Sequence, residues 1–307
     1  MIAHRVQRDL ARAISAVENG HTDVNDALAR FAALGHAQRN GVRADVIGIT
    51  GPPGAGKSTL VDRLIEGFRA NGETVAVIAV DPSSPFTQGA VLGDRVRMQR
   101  HAGDRGVFIR SMASRTAGGG LAPATRDAVR LADAAGFDVV IVETVGVGQV
   151  ELEIVAVADV IVVVTVPALG DSVQTIKAGL TEIADVFVVN MADRPGANAT
   201  ALDLKHMVRE GARDIPVLQT VAQDGTGLPA LLDALAAKRG ADDSNAVRAV
   251  RFEVVRRARD EAVRAALAAL DSDDAAAVLD RLRDHTLSRN DAVDALLVIL
   301  GGPAHAH

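Results

Sequence analysis

The 307-residue chain contains no cysteine, no tryptophan and no tyrosine. Without cysteine there can be no disulfide, no thiolate-bound zinc and no thiolate nucleophile. A metal-delivering protein would also lack its usual soft ligands. Seven phenylalanines are the whole Phe, Trp and Tyr complement, so a core must be built from Val, Leu, Ile and Ala. Long hydrophobic runs are missing as well: the longest, residues 160–169, is interrupted by Thr165 and Pro167 and is too short to cross a bilayer. The first twenty residues carry charges every few positions and show no apolar h-region, so no signal peptide is expected. Nor is there an excess of positive charge. The net charge is −6, the pI is near 5.8, and Lys and Arg are spread along the chain. That argues against a nucleic-acid partner held by electrostatics. The expectation is a soluble, cytoplasmic protein without membrane attachment, long enough for one large or two modest domains.

What is present is more specific. Gly51, Pro52, Pro53, Gly54, Ala55, Gly56, Lys57 and Ser58 follow the apolar run 46–50 and precede a helical stretch, 59–70. This is the G-x-x-x-x-G-K-[ST] loop in its strand–loop–helix setting. Glycines let successive N–H groups turn inward on an anion, aided by the positive end of the following helix. Lys57 is expected to neutralise the β- and γ-phosphates and Ser58 to offer its hydroxyl to Mg²⁺. The chain is expected to bind a nucleoside triphosphate.

The surrounding pattern predicts an α/β fold. Val6, Leu10, Ile14 and Val17 recur at helical spacing, continued by Leu28, Phe31 and Leu34. Two helices are therefore expected over residues 1–40, ahead of a nucleotide domain at 41–239. Within it, strands are expected at 46–50, 74–80, 137–143, 160–166, 186–191 and 215–220, with a shorter one at 107–110. Several lack polar alternation, as strands buried on both faces do. Alternation with helical stretches predicts a mostly parallel sheet with helices on both faces. Residues 240–246 read as a polar linker. An amphipathic helix follows, then two shorter helices near 274–284 and 289–300, which make 247–300 an all-helical C-terminal arm.

Functional groups in open α/β sheets collect at the carboxyl ends of strands. Asp81, Glu143 and Asn190 stand at such ends. Glu143 occupies the place of the acid that holds Mg²⁺ directly or through water, and the alternative is a solvated strand-end acid. Gly146 could give its N–H to the γ-phosphate. Asp81 and Asp94 flank a Pro/Ser/Gly-rich loop and could also support the metal. Alternatively, Asp81 makes a turn ahead of Pro82 and Asp94 caps a helix. Asn190 and Asp193, in Asn-Met-Ala-Asp, bear on the base. An Asp carboxylate accepts two hydrogen bonds from guanine N1–H and its 2-amino group, which favours GTP over ATP. Thr59, Val221 and Ala222 complete the nucleotide-contacting set. For hydrolysis the candidates besides Lys57 are Gln149, Arg95, Arg97 and Lys177, each of which could instead lie on a solvated face.

The segments VIGITGPPGAGKSTL, AVDPSSPFTQGAVLGDRVRM, VVIVETVGVGQVE and IKAGLTEIADVFVVNMADRPGA resemble the methylmalonyl-CoA mutase-associated GTPases, the MeaB/ArgK family of the SIMIBI class. The resemblance covers roughly residues 40–235 closely and both ends more loosely. It implies a homodimer assembled through C-terminal helices. It also implies a GTP/GDP- and Mg²⁺-dependent chaperone of an adenosylcobalamin-dependent acyl-CoA mutase, slow alone and stimulated by its partner. Carried over by motif, Lys57 and Ser58 meet phosphates and Mg²⁺. Asp81, Asp94 and Glu143 support the metal, Asn190 and Asp193 read guanine, and Lys177 arrives on a mobile loop. Met191 stands where the family carries a lysine, which keeps apolar packing but not the charge. Two other readings compete, an ATP-dependent kinase of amino-acid transport and a nickel-type metallochaperone. The eight histidines, among them those at 36, 101, 206 and 285, are scattered rather than clustered.

Overall fold

The structure, a computed structural model, describes residues 2, 4–34, 42–81, 99–101, 103–113, 123–144, 154–167, 183–210, 213–239 and 244–299. Seven Val- and Ile-rich segments form one sheet: β1 (Asp45–Thr50), β2 (Val75–Asp81), β3 (Val107–Ala113), β4 (Val139–Thr144), β5 (Val160–Thr165), β6 (Val186–Val189) and β7 (Val217–Gln219). Their order is β3-β2-β4-β1-β5-β6-β7, and every pairing is parallel. β1 therefore lies between β4 and β5, where the chain's winding changes direction. A crevice opens there at the strands' carboxyl ends. β1, β4, β5 and β6 are buried along nearly their whole length, which explains their unbroken apolar sequences.

Helices cover both faces. α3 (Lys57–Ala70) buries Leu60, Val61, Leu64, Ile65 and Phe68 against Ile47, Ile49, Val75, Val77 and Ile141. Leu231 and Leu235 of the late helix Leu228–Lys238 extend the same cluster. On the other face Pro123–Ala134, α4 in chain order, packs on β2 and β4 and carries α1 (His4–Glu18) and α2 (Val24–Ala33). Ala197–Glu210, α5, packs on β6 and β7, which makes Leu228–Lys238 α6. Beyond Lys238, Arg239 closes this layer. It donates to Asp45 at 2.8 Å and lies 5.2 Å over the Phe68 ring.

At the sheet's opposite edge, carboxylates pin the strand starts. Asp159 accepts from the Val46 N–H at 2.9 Å, Asp185 from Ile161 at 2.9 Å and Asp138 from Thr74 at 2.6 Å. These bonds fix the register of strands that have no hairpin to set it.

Some expected boundaries shift, each for a physical reason. β3 runs three residues past Arg110 to Ala113, because pairing with β2 carries it onward. It is an edge strand, so Arg110 can turn to Glu18 of α1 at 2.8 Å without breaking the ladder. β6 stops at Val189 rather than at 191, since Met191 adopts a left-handed φ of 55°. On α2 the buried face is Val24–Ala27–Phe31, and Leu34 is exposed. The helix expected after the 240–246 linker begins inside it, at Ser244.

The chain divides into two compact units, the second beginning at Val250. It comprises most of α7 (Ser244–Leu270) with α8 (Asp273–Arg283) and α9 (Arg289–Ile299). The Ser272 side chain caps α8 through the Ala275 N–H at 3.3 Å. Along α7, Val250, Val254, Val255, Val263 and Leu267 are each more than half exposed.

Candidate functional site

The loop between β1 and α3 is shaped by two glycines. Gly51 has φ 137°, and a Cβ there would sit 1.9 Å from the Val164 carbonyl oxygen. Only a bare backbone passes that close to β5. Gly56 has φ 80°, stands as N-cap of α3, and would collide with the Asn190 amide if it carried a Cβ. Having no side chain, it leaves the first-turn N–H groups of α3 facing the loop, the geometry that receives a phosphate. Lys57 begins that turn and is buried. Its ammonium donates to the carbonyls of Gly51 at 2.8 Å and Pro52 at 3.0 Å, which holds a positive charge inside the loop's own curve.

Ser58, next on the helix, donates its hydroxyl to Glu143 Oε1 at 2.7 Å. Both residues are buried. β4 lies beside β1 with Glu143 opposite Ile49, and this places a strand-end carboxylate against a helix start distant in sequence. One residue on, the Thr144 hydroxyl bonds Thr50 Oγ1 at 3.0 Å and ties the two strand ends together. Among the described residues no three His, Asp or Glu side chains form a metal cage. Mg²⁺ needs none, because it takes one or two protein oxygens and completes its octahedron with phosphate oxygens and water. The Ser58–Glu143 pair fits that requirement.

On the far side of the loop stands Asn190, 2% exposed. Its amide donates to the Ala55 carbonyl at 2.8 Å. Its Oδ1 accepts from the Thr220 hydroxyl at 3.1 Å and from the Ala222 N–H at 3.0 Å. One side chain thus joins the phosphate loop, the end of β6 and the segment after β7. Met191 packs partly buried on the α3-side core and reaches Gly56. The Ala192 N–H donates to the Thr220 carbonyl at 3.0 Å, which fixes a turn on which Asp193 stands exposed. Across from it, residues 221–226 close through a Val221–Thr226 bridge. Inside that loop the Thr226 N–H, 2.9 Å away, holds the Asp224 carboxyl below its ordinary value.

Asn190→Ala would leave the buried Ala55 carbonyl, Ala222 N–H and Thr220 hydroxyl without this partner. At about 1–3 kcal/mol for each orphaned group, less what water recovers, the expected loss of stability is about 3 kcal/mol. Urea unfolding of the two proteins measures it. A loss below about 1 kcal/mol would show that the amide braces nothing.

Of the residues expected from sequence, the fold brings together Gly51 through Thr59, Glu143, Asn190, Asp193, Val221 and Ala222. Asp81 ends β2, one strand beyond β4, with its backbone paired to Ala113. Asp94, Arg95, Arg97, Gly146, Gln149 and Lys177 lie outside the described residues. Sequence reasoning missed Thr220, which shares Asn190, and Arg63, whose Nε donates to the Ala222 carbonyl at 3.0 Å. Neither belongs to a spaced motif. An arginine on the outward face of a helix looks in sequence like any solvated charge.

Comparison with known proteins places the chain in a family. Residues 10–276 match the family described as methylmalonyl-CoA mutase-associated GTPase MeaB. A protein of Pyrococcus abyssi is 55% identical over 235 residues, 74% of this chain and 70% of its own length. The fused isobutyryl-CoA mutase of Cupriavidus metallidurans is 39% identical over 226 residues, which span 70% of this chain and 20% of that protein. Among solved structures, one of a LAO/AO transport system kinase superposes with a TM-score of 0.66 at 26% identity, covering 97% of this chain and 95% of the other. With a family match over most of its length, the chain belongs to the MeaB family of mutase-associated GTPases.

Proposed function

We propose that this GTPase acts as a chaperone of an adenosylcobalamin-dependent acyl-CoA mutase, with GTP hydrolysis timing cofactor delivery and protection or reactivation of the mutase. The observation that carries the reading is the Cupriavidus metallidurans relative, a fused isobutyryl-CoA mutase of which only a fifth corresponds to this chain. A GTPase unit carried in one polypeptide with a mutase would act on it at high effective concentration. An unfused relative would have to reach its mutase by binding.

At the nucleotide site, Lys57 and the α3 N-terminus receive the β- and γ-phosphates, and Ser58 and Glu143 hold Mg²⁺, supported by Asp81 and Asp94. The metal's contribution is to neutralise charge developing on the phosphates. Asp193 reads guanine N1–H and the 2-amino group. Asn190 reads guanine beside it. One Nδ2 hydrogen goes to Ala55 and Oδ1 accepts from Thr220 and Ala222, which holds the flanking loops in place, and the second Nδ2 hydrogen serves the base. Arg97, Gln149 and Lys177 are the candidates for positioning water or adding positive charge. The exposed valines of α7 support a homodimer formed through the C-terminal helices. No helix among the described residues is long and apolar enough to cross a membrane.

The decisive measurement is GTP turnover by the protein alone and with methylmalonyl-, isobutyryl- and ethylmalonyl-CoA mutases, each loaded with cobalamin. Slow turnover alone and clear stimulation by one of them is the expected result. If none stimulates turnover and none forms a complex, the chaperone reading is wrong.

A further inference from the structure

α3 turns Asp62, Arg63 and Glu66 away from the sheet, and these side chains link two loops. Arg63 Nε donates to the Ala222 carbonyl at 3.0 Å and its Nη2 donates to the Gln223 carbonyl, while Nη1 meets Glu66 at 2.9 Å. Glu66 also pairs with Arg100 at 2.8 Å. Arg100 forks onto Asp62, whose carboxylate lies 2.8 Å from His101 Nε2. A continuous chain of charges thus runs from the 221–223 segment along α3 to the turn at Gln99–His101.

We infer that Arg63 is a positioning residue for base selectivity, setting the orientation of the Ala222 and Gln223 peptides beside the base. The inference rests on the reading that Asp193 and residues 221–222 flank guanine. Ala222 is gripped from both sides: Asn190 holds its N–H and Arg63 its carbonyl. The peptide is planar and trans, so fixing a carbonyl also fixes the N–H that follows it, pointing the opposite way. Guanine presents an acceptor, O6, where adenine presents an amino donor. Backbone N–H groups discriminate between them only if they cannot turn. An arginine suits the task because its flat fork serves two carbonyls and a carboxylate at once, and a lysine ammonium has no such fixed geometry.

The test is competition titration of GDP, ADP and XDP on the purified full chain, with thermal unfolding of the nucleotide-free protein alongside. Arg63→Ala is expected to weaken GDP about tenfold and leave ADP unchanged, so the GDP:ADP preference falls by the same factor. Arg63→Lys, which keeps charge and stem, should fall between the two. It also serves as the reading if the alanine variant does not fold. Equal weakening of GDP and ADP with a lower melting temperature would mean a merely structural arginine and overturn the inference. So would an unchanged ratio. Asp193→Asn is measured in parallel. If it gains XDP while Arg63→Ala keeps the GDP:ADP ratio, only the Arg63 inference fails. If it gains none, the base site itself is misplaced and both fail.

Discussion

Lys57→Ala is expected to lower GDP and GTP affinity at least about a hundredfold, because it removes two or more charge-assisted hydrogen bonds worth roughly 1.5–3 kcal/mol each. The setting of the ammonium explains the size of the effect. The ammonium is buried at the start of α3, within 2.8–3.0 Å of the Gly51 and Pro52 carbonyls. The other two basic side chains of α3, Arg63 and Arg69, are engaged elsewhere, with Ala222 and Asp104. The first-turn N–H groups of α3 persist in the variant and account for whatever weak binding is left. Isothermal titration with GDP, with and without Mg²⁺, measures the loss, and unfolding of the nucleotide-free protein separates it from damage to the fold. Affinity within tenfold of the parent would place the phosphates somewhere other than this loop.

The second large effect concerns the base. Asp193→Asn should weaken GTP about a hundredfold and strengthen XTP by a similar factor, reversing the preference. A carboxylate accepts from both N1–H and the 2-amino group of guanine. An asparagine presents an acceptor and a donor, which matches the N1–H and 2-oxo edge of xanthine. A site built around hydrogen bonds rejects the partner that leaves its polar groups unpaired. Asp193 suits this exchange because it is exposed on a turn fixed by the Ala192-to-Thr220 bond, so its replacement leaves the fold intact. Competition between GTP and XTP reads the outcome directly. An unchanged preference would remove Asp193 from the base site.

These two residues stand at opposite ends of what could be read in advance. Lys57 lies inside a motif whose spacing states its own geometry: one strand, one tight loop and one helix, all local in sequence. The strands were legible for a similar reason, since a segment buried on both faces must be apolar throughout. Legibility failed wherever a neighbour in space decides. Arg110 and Ser111 hid the second half of β3, because an edge strand tolerates polar residues that a central strand does not. Leu34 looked like the continuation of a buried stripe, yet α2 presents Val24, Ala27 and Phe31 instead. Met191 read as the last residue of a strand that ends two positions earlier, at a backbone turn to positive φ.

The candidate site divides along the same line. Sequence alone determined that a triphosphate loop precedes a helix, that acids and an asparagine end the strands, and that thiolate chemistry is impossible. Each of these follows from residue type and short-range spacing. Only the tertiary structure decided that Ser58 and Glu143, 85 positions apart, meet at 2.7 Å. It alone showed Asn190 spending its amide on Ala55, Thr220 and Ala222. It alone set Arg63 against the segment after β7. The physical reason is the order of the sheet: parallel strands distant in sequence become neighbours through helical crossovers, and pairwise hydrogen bonds form at the edge where their carboxyl ends converge.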